Sequence, residues 1–345
     1  MGRKVMRENR FNWYSRAMAV IASIYFVQMY AGLVPQYLNL SKYMRGQERM
    51  PFQARELMRY PLLLGSRSSL LQHLANGHKA VNTPELLMLE LISCLSLLMA
   101  GWASVKIYRF VAPQGRVPYL PWAILLVICL FDLYCFASYA FPYDLPSLMF
   151  LGWGTYFVLT RRFAWLLPIF ILGTINRETT LFLIFIALLA AMAQDGKIRF
   201  SAITRKDVLQ LATLSLIWIA LYVSLHRLYA GNPSEAGFRV KLNLHYLARP
   251  EYWPRILSAS AFLLPYVYLK RSSIRSEPLR ACLLALPLWV LILLAAGQIL
   301  ELRIYIDISV LIAVAVALIL SAEIAPDISA SEEPTPIVYT NKEAQ

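Results

Sequence analysis

The stretch FAWLLPIFILGTI-NRET-TLFLIFIALLAAM, residues 163–192, decides how this chain is read. Asn176-Arg177-Glu178-Thr179 stands between two apolar arms, Phe163 to Ile175 and Thr180 to Met192. A helical bilayer crossing needs about 20 apolar residues. Each arm has 13, roughly 20 Å of helix. The arms therefore do not lift Arg177 and Glu178 clear of the lipid. An arginine and a carboxylate at that depth are costly unless they are paired or used, which makes the tetrapeptide the first candidate for a site.

The rest of the chain fits a membrane setting. Of 345 residues, 59% are apolar and 15% charged, with mean hydropathy +0.53; a soluble chain would carry about 25% charged residues. The net charge of +13 does not call for nucleic acid as a partner. Its Lys and Arg residues gather at the ends of apolar segments, the signature of membrane topology. Cys94, Cys129, Cys135 and Cys282 all fall in apolar segments and read as small core residues, without a disulfide framework or metal spacing. The first apolar run follows a basic start but has no small-residue cleavage site, so it reads as a retained helix.

The expected fold class is all-α: a polytopic bundle of about ten membrane helices. Their cores are Ala17–Leu33, Leu86–Val105, Tyr119–Tyr139, Leu145–Thr160, Phe163–Ile175, Thr180–Met192, Val208–Leu225, Ile256–Leu269, Ala281–Ala296 and Tyr305–Leu320. The fifth and sixth are short enough to form one re-entrant hairpin instead. With both termini cytoplasmic, the inner segments carry 18 Lys and Arg in 55 residues and the outer ones 14 in 95. That twofold density difference follows the positive-inside rule. Residues 1–321 then form one transmembrane domain, and the acidic, Pro- and Ser-containing segment 322–345 reads as a disordered cytoplasmic tail.

Two outer loops are long, 34–84 and 226–255. In the first, Pro51 to Tyr60 and Ser69 to Ala75 read as amphipathic helices on the membrane surface. Thr83-Pro84-Glu85 is a helix start with a cap, a first-turn proline and an acidic first turn. The second loop shows no clear element. Tyr119, Trp122, Tyr252 and Trp253 near helix ends read as interface anchors.

This topology brings the polar residues to one side: Glu48, Arg55 and Glu56 in the first loop, Tyr143-Asp144, Arg177-Glu178, and Glu301 with Arg303. Neighbours on a helix lie about 100° apart, so Arg177 and Glu178 are poor partners for each other. The expected pairs are Arg177 with Asp144 or Glu301, and Glu178 with Arg303. One reading is an ion-pair clamp between helices. The other is a site for an anionic, membrane-borne substrate, because a guanidinium presents a planar fork of donors that suits phosphate. Asp132, inside the third span, reads as hydrogen-bonded or cavity-lining. His73, His78, His226 and His245 all fall in outer loops; a divalent metal is compatible with them, but no ligand spacing calls for one.

The run Met50-Pro51-Phe52-Gln53-Ala54-Arg55, together with Tyr143-Asp144, Asn176-Arg177-Glu178-Thr179 and Glu301-Leu302-Arg303, resembles a pattern in bacterial multi-pass membrane proteins. Those proteins look like relatives of the polyprenyl-phosphate-sugar-dependent glycosyltransferases of the GT-C fold. The likeness runs from the first helix to the last. GT-C enzymes carry an acidic motif early in the first outer loop, where this chain offers only Glu48 and Glu56. The resemblance implies a bacterial inner-membrane enzyme with a lipid-linked sugar as donor and a glycan or lipid as acceptor. It implies that Arg55, Arg177 and Arg303 hold the donor phosphate. Glu48 or Asp144 would take the acceptor proton, and Glu56, Glu178 and Glu301 would orient the arginines. The competing expectations are a transporter or flippase for lipid-linked glycans, a glycan polymerase, and a non-catalytic subunit of an envelope assembly complex.

Overall fold

The computed structural model describes residues 2–76, 83–115, 117–135, 140–195, 197–235 and 237–324. It is nearly all helix, with one small antiparallel ribbon that pairs Ala193 with Ile198 and Gln194 with Lys197. Helices follow the apolar stretches in order: α1 (Gly2–Ala31), α2 (Pro84–Val111), α3 (Leu120–Cys129), α4 (Asp144–Leu159), α5 (Phe163–Asn176), α6 (Phe182–Met192), α7 (Arg205–Leu228), α8 (Leu263–Lys270), α9 (Ala285–Ala296) and α10 (Ser309–Ile324). Among the described residues, five segments are long and apolar enough to cross a membrane: Asn12–Tyr37, Pro84–Val111, Arg205–Leu228, Glu277–Ala296 and Leu302–Glu323. Shorter apolar helices cover Leu120–Cys135, Phe163–Asn176 and Glu178–Met192.

Two helix starts follow from local chemistry. The Thr83 side chain accepts from the Leu86 amide, with Pro84 in the first turn. Thr204 and Asp207 exchange side-chain and backbone hydrogen bonds in a capping box that opens α7, so amides with no intrahelical partner are satisfied.

The last apolar segment is the axis of the bundle. Of the most apolar 18-residue stretch of the 302–323 span, 83% is buried inside the molecule, against 6% for that of α7. α10 packs against α2, α3, α4 and α8, so its small residues Ala313, Ala315 and Ala317 are fully covered. Close approach also joins α1, α2 and α3. A Cβ on Gly101 would come within 2.2 Å of the Trp122 ring, and the Trp122 indole donates to Ser23 Oγ at 3.1 Å. Trp122 is therefore a helix-packing residue, not the interface anchor expected of it. Cys135 is exposed, unlike the core residue expected there.

Several boundaries differ from expectation. The Ile256–Leu269 span is broken: a short helix ends at Leu257, and Ser260, Ala261 and Phe262 have φ of 53°, 56° and 63° before α8 begins. Left-handed residues cannot continue a right-handed helix, and they cost roughly 1–2 kcal/mol each. The break is capped from across the bundle. The Ser260 amide donates to both Asp132 carboxylate oxygens, at 3.1 and 3.2 Å. Asp132 is fully buried on a π-helical turn, Leu130–Cys135, that continues α3. The third span is thus α-helix followed by π-helix; positions 136–139 lie outside the described residues. The expected helix over Pro51–Tyr60 is two 3-10 turns, Phe52–Ala54 and Glu56–Met58, followed by a helix Arg59–Ser66.

The 226–255 loop, expected to lack elements, holds a helix Val240–Leu247, a 3-10 turn Pro250–Tyr252 and a helix Trp253–Leu257. Docking explains the first of these. The buried Asn243 amide donates to the carbonyls of Leu293, Leu294 and Gly297 at 3.2, 2.9 and 2.8 Å. α10 continues to Ile324, so the segment from 322 begins as helix; 325–345 lie outside the described residues, as does His78.

Candidate functional site

The chain turns that follow α3, α5 and α9 meet at one end of the bundle, under the 34–76 segment. Their charged side chains converge there. Asp144, in the first turn of α4, is the hub. Its Oδ1 accepts from Arg303 Nη1 at 3.1 Å and Arg177 Nη1 at 3.4 Å. Its Oδ2 accepts from the Tyr30 hydroxyl at 3.0 Å and the Phe141 amide at 3.1 Å. Arg177 also reaches Asp307 at 3.2 Å, and Arg303 reaches Glu301 at 2.6 Å. Arg55 grips Glu178 with both arms of its fork, Nε to Oε2 at 3.0 Å and Nη2 to Oε1 at 2.5 Å.

Local backbone sets these positions. Arg177 lies in extended backbone between α5 and a 3-10 turn, Glu178–Leu181, and this corner turns Arg177 and Glu178 toward different partners. The Asn176 amide donates to the Tyr143 carbonyl at 3.0 Å, and the Trp218 indole donates to the Glu178 carbonyl at 2.9 Å. Arg55 sits between two 3-10 turns, and its carbonyl accepts from the Tyr43 hydroxyl.

Aromatic rings interleave with the guanidinium groups. Phe52 stacks on Phe141 at 4.8 Å, and Phe141 on Tyr143 at 5.3 Å. Arg303 lies 4.1 Å from the Phe141 ring centre and Arg55 4.6 Å from that of Tyr143. Such contacts favour a desolvated cation. Burial pushes the Tyr143 hydroxyl up to about 12, so it stays neutral. Burial draws the Arg55 guanidinium down, but the charges and hydrogen bonds of Glu178 and Tyr143 together outweigh it and hold the group well above its ordinary value.

The structure therefore brings Arg55, Asp144, Arg177, Glu178, Glu301 and Arg303 together. Arg177 meets Asp144 as expected. Glu178 meets Arg55, not Arg303, because the 3-10 turn aims it at the first loop. Glu48 and Glu56 belong to a neighbouring network. Gln53 accepts from the Glu48 amide at 3.0 Å and donates to Glu56 at 2.8 Å; Arg59 joins Glu56 at 3.2 Å and Tyr229 at 2.8 Å. The Glu48 carboxylate accepts from the Arg49 amide at 3.1 Å. The two long loops are tied here as well, by Met50 to Pro233 and Glu235 backbone bonds at 2.7 and 3.0 Å.

Sequence reasoning missed Asp307 and Tyr30. Asp307 carries the same signal as Asp132, a carboxylate inside an apolar run, and lies one helical turn from Arg303. Tyr30 carries no signal apart from its partner.

Formal charges in the cluster nearly cancel, yet donors are left over. Arg177 Nε and Arg303 Nε are buried without a hydrogen-bond partner. Arg55, Arg177 and Arg303 are buried, and the Glu178 side chain, 32% exposed, is the most open of the group. Two cavities, of about 170 and 50 Å³, lie at the opposite end of the bundle, and neither touches this cluster. Among the described residues no three His, Cys, Asp or Glu side chains form a group that could hold a metal. Comparison with protein-family models, with curated proteins and with solved structures finds no match to this chain.

Proposed function

We propose that this chain is a glycosyltransferase-like protein of the bacterial inner membrane that moves a sugar from a polyprenyl-phosphate donor to an envelope or exopolysaccharide acceptor. In this reading the ten apolar helices enter or cross the bilayer in a GT-C-like arrangement, with both termini cytoplasmic and the arginine cluster on the outer face. The Lys and Arg distribution supports that orientation. One observation carries the functional reading: buried Arg177 and Arg303 share the Asp144 carboxylate beside the Arg55–Glu178 pair, and Arg177 and Arg303 each keep an unused Nε–H. Such preorganised donors in a low-dielectric site suit a phosphate that gains charge as it leaves.

The transfer balances as follows. The acceptor hydroxyl oxygen bonds to the anomeric carbon of the sugar. The bond from that carbon to the phosphate oxygen breaks, and its electron pair stays on the polyprenyl phosphate, beside the arginines. The hydroxyl proton passes to a carboxylate. Asp144 is a poor choice for this proton, since donors already occupy both its oxygens. Glu48, with one hydrogen bond to its carboxylate, is the better one.

The closed packing of Asp144 favours a second reading, in which the cluster only clamps helices and the chain is a non-catalytic subunit or a flippase. The purified chain in proteoliposomes, given polyprenyl-phosphate sugars and an acceptor extract, separates these. Labelled sugar appearing on the acceptor, and lost in Glu48→Gln, supports transfer. Sugar-lipid crossing the bilayer without chemistry, or no turnover at all, overturns it.

A further inference from the structure

At the end of the bundle away from the arginine cluster, a cavity of about 170 Å³ is lined by Ala193, Lys197, Ile198, Arg271, Glu277, Arg280, Ala281 and Leu284. α6 runs from the Glu178 turn to the Ala193–Ile198 ribbon, and α9 runs back from this region toward Glu301. The cavity therefore sits at the far mouth of the same bundle. Three cations and one carboxylate face it, a formal surplus of two positive charges.

The cations are held in place but not neutralised. Arg271 Nη1 donates to the Tyr268 carbonyl at 2.9 Å, and its guanidinium lies 4.4 Å from the Tyr268 ring centre. Arg280 Nη1 reaches the Ile274 carbonyl at 3.5 Å. Carbonyl contacts position a guanidinium without cancelling its charge. Among the described residues, neither arginine nor Lys197 is in an ion pair, although adjacent cations are: Arg199 meets Asp195 at 3.5 Å and Lys270 meets Glu323 at 3.2 Å. Asp195 and Glu323 are thus spent on other residues, and Glu277 is the one carboxylate of the lining set against its three cations.

The rim is apolar. Ile198 and Leu284 line the cavity and are themselves exposed, while Phe200 and Leu269, each two residues from a lining residue, are both 77% exposed. A cavity of this size holds a phosphate group with a small substituent, and the apolar rim suits acyl chains leaving it.

We infer that this cavity binds the phosphate of an anionic glycerophospholipid headgroup, with Arg271, Arg280 and Lys197 on the phosphate and the acyl chains along the Ile198–Leu284 side. Basic pockets between membrane helices suit such headgroups. The inference is independent of any transferase activity at the other end.

The full chain, purified in neutral detergent, would be titrated with phosphatidylglycerol, phosphatidylcholine and inorganic phosphate, with binding read by native mass spectrometry and thermal shift. Phosphatidylglycerol is expected to bind more tightly than phosphatidylcholine. Each of Arg271→Gln and Arg280→Gln should weaken phosphatidylglycerol binding by about fivefold. Glu277→Gln, which removes the opposing carboxylate, should tighten it, and this gain cannot arise from misfolding. Binding of inorganic phosphate that is lost in the same arginine variants, without preference between the two lipids, would support the anion site and make free phosphate its source. Unchanged phosphatidylglycerol binding in the arginine variants and in Glu277→Gln would overturn the assignment.

Discussion

A carboxylate offers about four acceptor positions, and at Asp144 four donors take them: Arg177, Arg303, Tyr30 and the Phe141 amide. Asp144→Asn would leave two buried guanidinium groups short of their counter-charge. Removing one partner of a buried pair costs about 3–5 kcal/mol, so this variant should unfold at a clearly lower temperature in detergent. Arg303→Lys keeps the charge but cannot bridge Asp144 and Glu301 with one planar group. A loss of about 1.5–3 kcal/mol is expected in the same melt. Glu48 should behave in the opposite way. On the proposed reading, Glu48→Gln folds normally and lowers transfer by about 10²- to 10⁴-fold, which a labelled-sugar assay measures. At this scale the sequence was informative because a charge in an apolar run needs a partner. It pointed to Arg177, Glu178 and Asp132. It could not give Glu178 its partner, since a single extended residue at Arg177 sets that direction.

Among the elements, the long helices were readable from apolar length and, at Thr83-Pro84, from capping. The broken eighth segment was not, because nothing in Ser260-Ala261-Phe262 signals left-handed backbone; no glycine or asparagine is there. What permits the break is remote, the Asp132 carboxylate receiving the freed Ser260 amide. Asp132→Leu would leave that amide buried and unsatisfied, a loss of about 1–3 kcal/mol. Faster amide hydrogen exchange confined to the 257–263 region would report it. The helix Val240–Leu247 escaped notice for a similar reason: Asn243 fixes it from outside, through three carbonyls near the end of α9. Packing of α1, α2 and α3 makes its own demand. Gly101→Val would drive two methyl groups into Trp122, which is held by Ser23, and should cost about 1–3 kcal/mol through overpacking. Loss of the monodisperse peak in size-exclusion chromatography, or a lower melting temperature, would show it.

On the scale of the whole molecule, the two ends differ in chemistry. One gathers paired charges under ordered loops, and the other presents unpaired cations around the Ala193–Ile198 ribbon. The proposed orientation places the first end outside. In a Cys135→Ser background, Tyr60→Cys should then react with an impermeant thiol reagent on intact cells, and Lys197→Cys only after permeabilisation. The reverse pattern would invert the topology. The bundle's layout around its last segment was not legible, since α7 and the 302–323 span have similar mean hydropathy, 2.0 and 2.5. Yet one is almost wholly on the outside and the other is the axis. Hydropathy reports that a segment leaves water; it does not report whether lipid or protein receives it.

The hub at Asp144 has a consequence for divergence. Its donors come from α1, the turn before α4, the corner after α5 and the segment before α10, so four distant stretches share one anion. None of these corners can drift alone. A descendant that replaces Asp144 must also shed a cation at Arg177 or Arg303, and substitutions at these positions should appear as correlated sets among relatives.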